Sequence, residues 1–187
     1  FFGTLALRLR LEETYSIPTA ATDAKHLFYN PHFIDKHSLK EIQGIICHEV
    51  MHCACGHVWR EKGAKYPKLP KLPAGIAAAE IEKLKQFMRH EKANIAMDYA
   101  INPIIKACGM VLPGTAIGVK SSPGTEGHLD DPQFHGKSWE EIYHLLPDPK
   151  VQFTAGGKGD ISIKLPDGHA PRMGDVTQPG NGQGDDK

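Results

Sequence analysis

The stretch that most constrains this chain is His48-Glu49-Val50-Met51-His52, set between Gly44-Ile45-Ile46-Cys47 and Cys53-Ala54-Cys55-Gly56-His57. On an α-helix, residues i and i+4 lie about 40° apart around the axis and one turn apart along it, so two imidazoles at that spacing can reach one small cation. The glutamate after the first histidine lies about 100° further round. From there it can lean on a water held by the cation without being a ligand. This is the donor pattern of a zinc hydrolase: two histidine nitrogens, a third protein ligand, one open position and a carboxylate base.

The flanks support a helix. Ser38 followed by Glu41 makes a capping box, and no proline intervenes from there to Arg60. On a helical wheel Glu41, His52, Cys55 and Trp59 fall on the side of His48, while Ile46, Val50, Cys53 and Ala54 fall opposite. The expected metal helix runs over about 38–60.

Ahead of it, residues 2–13 read as a first helix with Leu5, Leu9 and Leu11 toward the core. Residues 15–22 and 26–30 read as two short strands turning at Asp23-Ala24-Lys25 and ending at Asn30-Pro31. They predict a small antiparallel sheet beside the metal helix. Residues 63–75, with Pro67, Pro70, Pro73 and Lys65, Lys68, Lys71, form an extended basic loop. Residues 76–108 read as one long helix or two abutting ones, with Pro103 as a kink or restart. Within them Asn94, Asp98 and Asn102 share one face among apolar neighbours. Such a stripe is costly to bury unless each group has a partner, and a metal or the support of its ligands would provide one.

Beyond residue 112 the chain is loop-rich, with a strand expected at 116–120 and a helix capped by Ser138 over 139–146, ended by Pro147. Residues 151–154 and 161–164 alternate around a glycine-rich turn, a β-hairpin pattern. From Pro171 onward Gly, Asp, Pro, Gln and Asn dominate, which is too little apolar surface to order a chain. The organisation read from the sequence is a domain over 1–147, a hairpin extension over 148–170 and a flexible tail over 171–187. The fold class is α+β, mainly helical.

Charge excludes several partners. The chain carries 22 basic and 22 acidic side chains, which argues against a nucleic-acid backbone or an anionic membrane surface. It has no apolar run long enough to span a bilayer. Its first residues are apolar but lack a basic lead and a cleavage site, and the chain does not begin with Met, so it reads as part of something longer. Cys47, Cys53, Cys55 and Cys108 are too few and too clustered for a disulfide framework, which favours a reducing cytoplasm.

A catalytic zinc takes a third protein ligand. Asp98 leads, because it approaches from a separate helix. His57 lies nine residues after His48, about 180° round the axis, and points away unless Gly56 breaks the helix. The spacing also departs from the metzincin pattern, in which the third His falls one residue later. Cys55 faces the right way but shares a helix with both histidines. Glu91 is a further alternative. His57, Cys55, Asn94 and Asn102 stand as supporting groups or alternative ligands.

Several segments together resemble one bacterial family, the metallopeptidase domain that precedes von Willebrand factor A-like domains. They are Pro18-Thr19-Ala20-Ala21-Thr22-Asp23, Tyr29-Asn30-Pro31, Gly44 through His57 with Arg60, Asn94 through Asn102, and Ser138 through Tyr143. The resemblance implies a zincin-like fold with zinc at His48 and His52, Glu49 as base, and Asp98 as third ligand. It also implies a MoxR-type AAA ATPase as partner and a C-terminal A-like domain outside this chain. The chain departs from the family where an Asp-Gly turn is Asp23-Ala24, and residues 61–90 are longer than the family pattern suggests. The expected function is zinc-dependent hydrolysis of peptide bonds. The alternative is a catalytically silent zinc-binding adaptor that works with an ATPase.

Overall fold

The computed structural model describes residues 2–72, 75–114 and 128–149, together with the backbone at 152–153, 161–162 and 175–176. The strand expected at 116–120 lies outside the described residues.

The centre of the molecule is a pair of helices, α3 (Leu39–Ala54) and α5 (Ala78–Ala107). Ser38 and Glu41 start α3 with the expected reciprocal cap: the Ser38 hydroxyl accepts from the Glu41 N–H, and the Ser38 N–H donates to the Glu41 carboxylate at 2.8 Å. The helix does not reach residue 60. Gly56 adopts a left-handed conformation (φ 67°), which glycine tolerates without a Cβ clash, and the chain restarts as α4 (His57–Arg60). By contrast Pro103 does not divide α5. It removes one N–H from the ladder, but the helix continues to Ala107.

Packing holds the two helices together at a defined height. Ile45, Cys47 and Met51 of α3 share one buried cluster with Ile101 and Ile105 of α5, Phe33, Ala20 and Leu112. Ala93, Ala96 and Met97 of α5 join a second cluster with Val58, Phe134, Trp139, Ile142 and Tyr143. Each large aliphatic buried in this way contributes about 1.5–3 kcal/mol. Gly44 fixes the closest approach: a Cβ there would stand 2.0 Å from the Val111 carbonyl oxygen, so only glycine lets α3 lie against the segment that leaves α5. The apolar face anticipated for α3 is incomplete, because His48, Glu49 and His52 on the other side are buried as well.

Residues 2–13 are not one helix. They form α1 (Phe2–Ala6), a turn, and then β1 (Arg10–Glu13). β1 pairs in parallel with β3 (His26–Tyr29), and this ladder supplies partners that a short exposed helix would leave to water. β3 pairs antiparallel with β2 (Ala20–Thr22), as the turn at 23–25 requires. Asp23 Oδ1 accepts the N–H groups of Lys25 and His26 at 2.8 and 2.7 Å, which holds Ala24 at φ 69° despite its methyl group. Asn30 ends β3 and caps α2 (Pro31–Ile34), a helix the sequence pattern did not mark. The sheet is therefore mixed, in the order β1-β3-β2-β6, and not purely antiparallel. Its last strand, β6 (Asp175–Val176), pairs in parallel with β2 and comes from the stretch read as a tail. Of the hairpin expected over 151–164, the described residues are β4 (Gln152–Phe153) and β5 (Ile161–Ser162), which pair antiparallel; its turn lies outside the described residues.

The last described helix is α6 (Trp139–Leu145), opened by a second capping box at Ser138 and Glu141 and packed on α5. No helix among the described residues is long and apolar enough to cross a membrane.

Candidate metal centre

α3 and α5 bring four charged or titratable side chains into the interior. His48, Glu49 and His52 are fully buried, and Asp98 is 4% exposed. The two histidines sit one turn apart on α3, with Nε2 atoms 3.0 Å from each other. Asp98 Oδ1, from α5, lies 3.4 Å from the first and 3.3 Å from the second. One potential ligand atom from each of the three residues lies within 4.8 Å of the others.

The orientation of each ring follows from its neighbours. Asn102 Nδ2 donates to the Leu129 carbonyl at 3.0 Å, which turns Asn102 Oδ1 toward His48 Nδ1 at 2.9 Å. An amide oxygen only accepts, so His48 carries its proton on Nδ1 and presents an Nε2 lone pair to the centre. On the other side, the break at Gly56 folds α4 back and places His57 Nδ1 3.0 Å from His52 Nδ1. Burial, reinforced by His52, lowers the His57 pKa to about 2, so this ring is neutral and can accept the His52 Nδ1–H. His52 Nε2 is then also a lone pair. Trp139 stands edge-on to His57 at 6.2 Å between ring centres, with the Arg60 guanidinium over its indole and Arg60 paired to Glu140.

The Asp98 carboxylate and the two imidazoles are electrostatically coupled. Burial disfavours the imidazolium form of both histidines. At His48 the Asp98 carboxylate outweighs burial and raises the pKa, whereas at His52 burial prevails and lowers it. Burial would raise Asp98, but His48 and His52 hold it below the ordinary aspartate value. With both Nδ1 atoms committed, two lone pairs and a carboxylate oxygen converge. Two neutral imidazoles and one carboxylate fit a divalent transition metal, and both rings already have the supporting hydrogen bonds such ligands need.

Glu49 lies beside this group, and its oxygens are not among the three converging atoms. Its charge favours protonation of His48 and disfavours ionisation of the Cys53 thiol, which donates to the Glu49 carbonyl at 3.4 Å. His57 supports His52 and does not converge with the other three. Asn102 supports His48. Asn94, one turn before Asp98, directs its amide to His90 Nε2 at 3.2 Å. Cys55 caps α3, with burial raising its thiol pKa, and neither it nor Glu91 belongs to the converging group. All four cysteines are free thiols, Cys47 in the core and Cys108 exposed. Tyr99 packs its ring against Phe134 at 4.7 Å. Sequence reasoning missed the Leu129 carbonyl, which orients Asn102, and the Arg60–Trp139 brace behind His57.

The class defined by this fold and site is an α+β domain with a two-helix His-His-carboxylate group able to hold a metal ion. The family described as "Putative metallopeptidase domain" matches residues 1–187, and the chain belongs to that family. No curated protein and no solved structure matches it.

Proposed function

We propose that this domain is a zinc-dependent metallopeptidase of zincin-like design. The observation that carries the reading is the convergence of His48, His52 and Asp98 with both Nδ1 atoms already engaged. In this reading His48 and His52 hold zinc through Nε2 and Asp98 through a carboxylate oxygen. When bound, the ion supplies Lewis-acid activation of water and of the scissile carbonyl. Asn102 and His57 keep the two rings in the required tautomer. Glu49 takes a proton from the attacking water and returns it to the leaving amine, as a carboxylate base next to the site can. The water-poor surroundings of these side chains strengthen each interaction among them.

One observation favours a second reading, a silent zinc-binding adaptor for an ATPase partner of the MoxR type: all four site side chains are buried. The retained Glu49 argues for turnover, because a purely structural site has no use for that base. A C-terminal A-like domain and the ATPase remain part of the proposal on the strength of the resemblance.

The test pairs elemental analysis with a peptide-library digest on wild type and Glu49→Gln. Peptidase function requires about one zinc per chain in both proteins and cleavage by wild type alone. Zinc in both without cleavage by either would select the adaptor.

A further inference from the structure

α5 carries a second polar cluster, two turns before Asp98. Glu61, in the 3-10 turn Glu61–Gly63 that follows α4, is 1% exposed. Its Oε1 accepts from Arg89 Nε at 3.3 Å and its Oε2 from His90 Nδ1 at 3.2 Å. The other nitrogen of His90 receives the Asn94 amide. Each carboxylate oxygen therefore has a donor, and Arg89 compensates the charge. Arg89 is held further by the Tyr66 ring, 5.0 Å from its guanidinium carbon.

This floor underlies a cleft of about 560 Å³ with walls formed by Lys62, Lys83, Gln86 and Phe87. Among the described residues Glu61 is the only acid that lines it, so three cationic side chains face one carboxylate that is already engaged. Neither Lys62 nor Lys83 forms an ion pair among the described residues, although Lys85 next along the helix does, with Glu82. Phe87 is 41% exposed at the same cleft, an apolar surface next to unpaired cations.

We propose that this cleft is a docking subsite for an acidic peptide segment. Side-chain carboxylates would meet Lys62 and Lys83, with Arg89 fixed behind them by Glu61, and an adjacent apolar side chain would cover Phe87. The excess positive charge is local and small on a chain of zero net charge, which suits a few carboxylates and not a polyphosphate backbone. The subsite is separate from the His48-His52-Asp98 group, and its existence does not depend on the metal reading.

Calorimetric titration of the full chain tests this with the blocked tripeptide Asp-Phe-Glu, its neutral analogue Asn-Phe-Gln, and inorganic phosphate. The expected result is that Asp-Phe-Glu binds, that binding weakens as salt rises, and that it falls about tenfold in a Lys62→Ala/Lys83→Ala variant of unchanged metal content. Phe87→Ala should weaken the tripeptide and leave phosphate unaffected. Equal binding of the neutral analogue, indifference to the double substitution, phosphate binding as tight as the peptide's, or no heat at millimolar peptide would each overturn the proposal.

Discussion

Two buried carboxylates, Asp98 on α5 and Glu61 packed against α5 from a neighbouring turn, behave differently. Glu61 meets two N–H donors, Arg89 Nε and His90 Nδ1, and its charge is balanced by a guanidinium that is always protonated. Asp98 meets two imidazoles whose Nδ1 atoms are tied to Asn102 and His57, which leaves lone pairs facing it. The first cluster is complete as it stands. The second is complete only with a proton or a metal ion. What separates a structural ion pair from a candidate metal centre here is not burial, which they share, but where the neighbouring donors have been committed.

The strongest way to break this comparison is Asp98→Asn beside Glu61→Gln. Removing the Asp98 charge should abolish stoichiometric metal, while Glu61→Gln should leave metal content untouched; elemental analysis that found the reverse would dissolve the distinction. Glu61→Gln should instead cost about 3 kcal/mol of stability, since it leaves Arg89 without its buried counter-charge, and chemical denaturation reads this directly. Comparable in size is Gly44→Ala, expected to lower stability by about 1–3 kcal/mol because the new methyl meets the Val111 carbonyl and must push α3 away from the exit of α5. An unchanged unfolding midpoint would show that this close approach is not needed. Smallest is a pH effect. His90 and Arg89 overcome the effect of burial and hold the Glu61 pKa below its ordinary value of 4.5. A depressed carboxylate stabilises the fold fully above the unfolded value and loses that contribution as pH falls through the folded one. Stability of wild type should thus drop below about pH 4.5 more steeply than that of Glu61→Gln; parallel acid limbs would remove Glu61 from the account.

The local signals survive into the structure wherever they concern one element at a time. The Ser38–Glu41 and Ser138–Glu141 caps, the turn at Asp23 and the stripe of Asn94, Asp98 and Asn102 all follow from short-range hydrogen bonding and helical period, which a sequence displays openly. The failures share another cause. Arg10–Glu13 becomes a strand because β3 offers it a ladder, and the pattern of Leu9 and Leu11 carries no trace of a partner 16 residues away. The single long helix over 76–108, by contrast, is one of the two forms the pattern allows; α5 continues through Pro103, with Ile101 and Ile105 on either side in one buried cluster with α3.

The sequence by itself determined which residues could hold a cation, since the His48–His52 spacing puts both imidazoles on one side of any helix that forms. It also named Asp98 as the candidate from a second helix. Only the tertiary structure decided how the stripe divides, with Asp98 at the centre, Asn102 behind His48 and Asn94 turned to His90. It likewise decided that His57 supports His52, because a left-handed residue at Gly56 redirects the chain by an amount that no helical wheel contains. Side-chain identity sets what a group can donate or accept; which of those capacities remains unspent depends on neighbours that the chain brings together only when it folds.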